Sequence, residues 1–429
     1  MEINTKPAGF NLPYTNGLYR YLKYPGTIFE GMRTSARRLR RYTIDPIQEF
    51  LRDSRAVGII LLCCAALSLF LSNGDLAPDY APWWETAISL AGNMSLASPL
   101  HIINDGLMTF FFLLMGLEIK REFQTGELAN RKDAALPVAA ALGGMILPAI
   151  LYVALNAGGP YLRGWAVPVA TDIAFSLGIL SLLGKRAPRA FRVFLMALAI
   201  IDDLGGIIVI ALGYTSGIGW EYLGLAALYT LIMVLLNRRG IISNLPYYLL
   251  MIPLWYCLHE AGVHPTIAGV ITAFCMPSSK AGATIHFLHD PVQLGILPLF
   301  ALANTALILP SGEFSALLSH SLFTGVIAGL VFGKPLGIAG FSFIAIKLGW
   351  AGLPGRMRWR NLIGIGFVAG IGFTMSIFIT ALAFEEKALQ DISKLAVLTG
   401  SAISGLSGYI WLRSSRQVLT GKKQELSAE

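Results

Sequence analysis

Apolar residues in this 429-residue chain gather into runs long enough to cross a lipid bilayer, and this limits the fold more than any other feature. A crossing takes about 20 apolar residues. Lipid offers no partners to backbone N–H and C=O groups, so each run is expected to be helical. Twelve segments can be marked, at approximately 56–73, 99–118, 134–156, 163–183, 190–214, 221–237, 246–258, 263–276, 292–310, 321–346, 361–384 and 392–412. The seventh and eighth are short, which leaves ten or eleven complete spans open. Hydrophobic residues make up 55% of the chain and charged ones 14%. Soluble domains carry roughly 25% charge, so an ordinary water-soluble enzyme is excluded, and the abundance of aromatic and aliphatic residues excludes disorder. The expected fold is an all-α polytopic membrane protein of about 12 transmembrane helices. A basic cytoplasmic segment (1–55) precedes the bundle (56–413), and a cytoplasmic tail (414–429) follows it.

The net charge of +8 does not indicate a nucleic-acid partner. Ten of the 33 basic residues precede the first apolar run, fifteen lie in even-numbered loops and three in odd-numbered ones. Such a bias marks cytoplasmic loops, so both termini are expected in the cytoplasm, with the chain in a bacterial inner membrane. No small-residue cleavage site follows the first run, so an uncleaved first span is expected rather than a signal peptide. Ile44–Arg55 could form a surface amphipathic helix, with residues 1–43 either structured or a disordered basic tail. Cys63, Cys64, Cys257 and Cys275 form no CxxC pattern, so neither a disulfide framework nor a zinc site is expected.

Four ionisable side chains fall at mid-span. Asp172 is eighth of the 19 residues from Trp165 to Leu183. Asp202 and Asp203 are tenth and eleventh of 21 from Val193, and Lys334 is thirteenth of 25 from Leu322. A charge at the bilayer centre costs about 2.5–3.5 kcal/mol on insertion scales. Three acids and one base at one depth therefore point to a single buried polar site. A structural ion pair alone would account for one acid and strand two. Neighbours on a helix point about 100° apart, so one of Asp202 and Asp203 can pair with Lys334 while the other meets Asp172 and an ion. The backbone is interrupted nearby, at Pro168 and Thr171, at Gly333 and Pro335, and at Gly370 and Gly372. Each could be a simple kink. Interruptions at matching places in two halves point to a transporter site, with segments three to five and ten to twelve as the halves. Half-helix ends carry opposite partial charges. Asp172 near a positive end and Lys334 near a negative one would neutralise them.

Other residues carry less. Asp105 and Glu118 bracket the second segment, and Glu118 fits an ion funnel or a plain interfacial acid. His264 reads as a packed histidine. His286 and His289 flank a loop before segment nine; an imidazole titrates near 6.5, which suits a pH response, but a solvated surface position explains them equally. In "HEAGVH" the histidines are five apart, which fails the zinc-protease spacing. "GLVFGKP" lacks the gap and the Ser or Thr of a phosphate loop, and no nucleophile-elbow motif occurs in a strand-turn-helix setting. No cofactor is expected.

The stretches "ATDIAFSLGILSLLG", "LAIIDDLGG", "FFLLMGLEIKREFQTGEL", "GLVFGKPLGI" and "GIGFTMSIF" resemble the NhaA-type sodium/proton antiporters over roughly residues 45–415. That family is itself a type case for the rule on interrupted repeats. The resemblance implies inverted repeats with segments four and eleven discontinuous and crossing near mid-membrane. It implies Asp203 as the primary cation-binding carboxylate with Asp202 its partner, Asp172 and Thr171 at the crossing, and Lys334 paired with the aspartate couple. It implies a homodimer formed through a hairpin at about residues 74–98. The loop before segment nine, "ATIHFLHDPVQ", departs from the family: Ile285 and Asp290 stand where an acid and a proline are usual. That loop, with Glu118, His286 and His289, is tied to pH response in the family.

The expected function is electrogenic, pH-responsive exchange of cytoplasmic Na⁺, and of Li⁺, for external protons, serving pH and sodium homeostasis; the protein is not expected to be an enzyme. Na⁺, Li⁺, H⁺ and membrane lipid are its expected partners. Two other classes are weighed. An intramembrane aspartyl protease would pair Asp172 with Asp202 or Asp203, but the GxGD glycines are missing. A cation channel would carry repeated acidic rings, which the segments lack.

Overall fold

The computed structural model describes residues 54–415 apart from 88, 91–93, 96, 216, 310–313 and 356. The expected N-terminal segment, with its amphipathic stretch, and the C-terminal tail lie outside the described residues except at 54–55 and 414–415. The chain divides after Ala56, and the bundle belongs to the unit from Val57 onward.

Among the described residues, nine helices are long and apolar enough to cross a membrane, and the bent pair Trp359–Ala369 and Phe373–Ala383 makes a tenth. Segments seven and eight are helices of 16 and 9 residues, Leu245–Glu260 and Ile267–Cys275. The shorter one ends inside the protein, where its last carbonyls need donors. Lys120 Nζ donates to the carbonyls of Phe274 (2.8 Å) and Met276 (2.5 Å), and Asn237 Nδ2 to that of Cys275 (2.8 Å). An ammonium at a helix C-terminus also opposes the negative end of the dipole.

Two differences from the sequence expectation stand out. Segment nine begins 14 residues earlier, as one helical stretch Ser278–Asn304. His286 and His289 therefore sit on a helix and not beside a loop. Hydropathy ends a segment where polar residues begin, whereas "SSKAGATIHFLHD" holds no helix breaker strong enough to stop the turn before Pro291. The second difference is local: three segments contain π turns, Ile102–Leu107, Val292–Ile296 and Gly329–Gly333. In the last two a proline, Pro298 or Pro335, stands where its missing N–H would have bonded a carbonyl inside the turn, that of Leu294 or Val331. The chain takes in an extra residue instead of breaking. Between segments one and two, the strands Ser89–Leu90 and Met94–Ser95 pair antiparallel, two residues on each side.

Segments three (Arg131–Leu155) and ten (Ser321–Lys347) pack backbone to backbone. A Cβ on Gly143 would lie 2.1 Å from the Gly337 carbonyl oxygen, and one on Gly337 2.0 Å from that of Gly143. Small residues let membrane helices approach in this way when no hydrophobic force drives them together. This contact holds the helix that carries Lys334.

Gly337→Val is expected to cost at least about 1–3 kcal/mol, the usual penalty of overpacking, and to lower the thermal midpoint of the detergent-purified protein. Gly340→Val, on the same helix with nothing within 4 Å of its added Cβ, is expected to leave the midpoint unchanged. Equal midpoints for the two variants would refute the contact.

Candidate functional site

The site is built on two interruptions. Segment four begins as a 3₁₀ helix, Leu162–Val169, unwinds over Ala170, Thr171 and Asp172, and restarts as the α-helix Ile173–Leu182. Segment eleven stops at Ala369, restarts at Phe373 and bends by 49°. Each break exposes carbonyls and N–H groups that water cannot reach, so they must find each other. Asp172 N–H donates to the Ile371 carbonyl at 2.6 Å. The hydroxyls then work reciprocally: Ser176 donates to the Val368 carbonyl (2.9 Å) and Ser376 to the Val167 carbonyl (2.7 Å). Gly372 makes room for the meeting, because a Cβ there would stand 3.2 Å from the Ala170 carbonyl oxygen, and Gly370 lets segment ten approach the break, because a Cβ there would stand 2.3 Å from the Leu330 carbonyl oxygen.

Asp172 caps the start of its own helix, Oδ1 accepting from Phe175 N–H at 3.0 Å. Its Oδ2 accepts from Thr374 N–H (3.0 Å) and from the Thr374 hydroxyl (2.5 Å), at the start of the other restarted helix. One carboxylate thus faces the positive ends of two half-helices, and the charges offset each other.

Lys334 follows the π turn of segment ten and is fully buried. Its ammonium bonds Asp202 Oδ2 and donates to Thr171 Oγ1 at 2.7 Å. Thr171 Oγ1 in turn lies 2.7 Å from Asp202 Oδ2 and 2.8 Å from the Ala369 carbonyl, so its one hydrogen serves two acceptors. Ala369 is the last residue of the first half of segment eleven. Lys334 therefore reaches that negative helix end only through Thr171.

Asp203, one residue on, points elsewhere. Its Oδ1 is buried with no hydrogen-bond partner, as is Asp202 Oδ1. Asp203 lines a cavity of about 60 Å³ together with Asp172, Thr374, Glu118 and Gln293. A space of that size admits a small ion together with water. Among the described residues no three carboxylate, imidazole or thiol groups converge as a metal-holding cluster.

The remaining candidates divide. Glu118 is half-buried on the cavity wall. His286 and His289 are exposed on the helix Ser278–Pro291 and do not line it; His289 Nδ1 lies 3.3 Å from Asp290 Oδ1. Asp105 and His264, weighed separately in the sequence, come together: His264 Nε2 lies 3.6 Å from Asp105 Oδ1, and His101 Nε2 2.9 Å from Oδ2. Thr374 and Gln293 were not singled out in the sequence. Thr374 stands in the "GIGFTMS" interruption, and a hydroxyl at the first turn after a mid-span break is a signal that could have identified it. Nothing marked Gln293.

The model of the family described as Na⁺/H⁺ antiporter 1 matches residues 48–412. The chain is 45% identical over 370 residues to Na(+)/H(+) antiporter NhaA 1 of Flavobacterium johnsoniae, covering 85% of this chain and 95% of that protein. It is 45% identical to Na(+)/H(+) antiporter NhaA of Cytophaga hutchinsonii (85% and 94%) and 45% identical to that of Shewanella frigidimarina (88% and 98%).

Removing one partner of a buried ion pair leaves the other uncompensated, at about 3–5 kcal/mol. Lys334→Met is expected to destabilise the purified protein on that scale in thermal unfolding. The double variant Lys334→Met/Asp202→Asn is expected to recover most of the loss. Additive losses in this double-mutant cycle would show that the two groups are not paired.

Proposed function

The chain belongs to the Na⁺/H⁺ antiporter 1 family, and we propose that its exchange of sodium ions for protons takes place on Asp203 and Asp172 in the buried cavity. The protein is a multi-pass membrane transporter and not an enzyme. One observation carries the assignment of the site: Asp203 is buried without a counter-charge at hydrogen-bond distance and with Oδ1 unpartnered, on a cavity it shares with Asp172. An oxygen left unsatisfied in a low-dielectric interior is costly unless a cation or a proton takes it. Either can occupy the same lone pairs, and both cannot at once, so competition couples the two fluxes.

The surrounding residues divide the work. Asp202 and Lys334 neutralise each other, and Thr171 ties that pair to the break. Thr374 orients Asp172. Glu118, on the cavity wall, is the acid through which ions approach and, with His286 and His289, through which pH acts. Li⁺ competes with Na⁺ because it is a hard cation suited to the same oxygens. Release of two protons for each Na⁺ makes the exchange electrogenic and lets the membrane potential drive export. Loop charge supports twelve spans in a bacterial inner membrane with both termini in the cytoplasm. The strand pair between segments one and two supports a homodimer formed through that hairpin, embedded in membrane lipid. Together these features serve pH and sodium homeostasis.

Proton flux in everted vesicles on adding Na⁺, Li⁺ or K⁺ across a pH series tests the proposal. Asp203→Asn is expected to abolish Na⁺-dependent flux while the protein still inserts at normal levels; normal exchange by that variant would refute the site. Thr374→Val removes one charge-assisted hydrogen bond, worth about 1.5–3 kcal/mol. It is expected to raise the half-saturating Na⁺ concentration roughly tenfold or more, and an unchanged value would remove Thr374 from the site.

A further inference from the structure

An apolar groove of about 500 Å³ runs between segments one, four and twelve, away from the ion cavity. Phe175, Ile179 and Leu182 form one wall and Ala402, Leu406 and Tyr409 the other, in each case a stripe at helical spacing. Leu62 and Ala66 of segment one complete it, and Ile371, inside the interruption of segment eleven, and Phe373, where the helix restarts, form its floor. An ordered water needs two to four polar partners. The wall offers Ser401 Oγ, already accepting from Gly372 and Phe373 N–H at 3.2 Å, and the Tyr409 hydroxyl. So apolar a wall suits apolar contents, and in a bilayer the apolar material at hand is acyl chain.

One end of the groove is charged. Two arginines lie there: Arg413, four residues beyond Tyr409 on the same helix, and Arg186, in the turn Gly184–Arg186 that follows the end of its helix at Leu182. Both are exposed. Arg186 bonds the Arg413 carbonyl, and the Arg413 guanidinium lies over the Tyr409 ring at 5.8 Å, with Nη1 donating to its hydroxyl at 3.2 Å. Among the described residues neither has a carboxylate partner. From Ser401, beside the interruption, to Arg413 is twelve residues, roughly 18 Å of helix. The hydrocarbon of one leaflet is about 15 Å thick. The groove is thus about one leaflet long, with its floor at the break and, at its other end, two guanidinium groups that have no carboxylate partner among the described residues.

We infer that this groove holds one acyl chain of an anionic phospholipid, whose headgroup phosphate is taken by Arg186 and Arg413. The inference rests on the membrane location and not on the exchange reaction. Its consequence is that lipid packs directly on Ile371 and Phe373, so one wall of the segment-eleven interruption is not protein.

Native mass spectrometry of the full-length protein in mild detergent tests this, with dioleoylphosphatidylglycerol and dioleoylphosphatidylcholine added separately. The wild type is expected to retain one phosphatidylglycerol per protomer, roughly tenfold or more in preference to phosphatidylcholine, as two basic side chains at a headgroup imply. Arg186→Gln/Arg413→Gln is expected to reduce phosphatidylglycerol to the phosphatidylcholine level. Ala402→Trp, which fills the groove and keeps both arginines, is expected to lose the bound lipid. The two variants act by different means, so either one that stays monodisperse suffices. Equal retention of the two lipids by the wild type, or undiminished phosphatidylglycerol in a monodisperse variant, would overturn the inference.

Discussion

The ammonium of Lys334, buried where lipid lies on the other side of a few helices, is tolerable only because Asp202 and Thr171 meet it together. A lone charge at that depth would be expelled or neutralised. The requirement reaches outward. Lys334 must be held at one depth, so segment ten is locked against segment three through Gly143 and Gly337. Thr171 must be free of helical geometry to reach both the ammonium and the Ala369 carbonyl, so segment four must unwind there. Unwinding frees backbone groups, which the matching gap in segment eleven satisfies. Pair, gaps and glycine contact form one dependent set.

Within that set the two neighbouring aspartates have opposite fates because of helix geometry alone. Asp202 spends one oxygen on Lys334 and Thr171. Asp203, turned by about 100°, faces the cavity with Asp172 and has no cation of its own from the protein. The fixed countercharge is given to one carboxylate and withheld from the other, which is what a mobile cation requires. Asp172 is anchored by N–H groups of both restarted helices.

Much of this was legible in the sequence because membrane insertion makes charge expensive. An acid or a lysine in the middle of an apolar run is a strong signal, so Asp172, Asp202, Asp203 and Lys334 could be named, and glycine and proline beside them marked irregular backbone. What hydropathy could not show were contacts between distant polar but uncharged groups. Thr374, Ser176 and Ser376 cost little to insert, so they leave no mark in an apolar run, yet they close the two gaps. The start of segment nine was misplaced because polar residues can continue a helix beyond the lipid. Asp105, His101 and His264 come from two segments brought together only by the fold. Which aspartate pairs with Lys334 depends on a rotation about the helix axis that spacing leaves open.

The 3₁₀ stretch Leu162–Val169 also sets a distance. At about 2.0 Å per residue its eight residues reach roughly 16 Å, where an α-helix would cover about 12 Å. The tighter coil works as a longer stem. It carries Thr171 and Asp172 some 4 Å further along the axis of segment four without a single added residue, to where they meet Ala369 and Thr374.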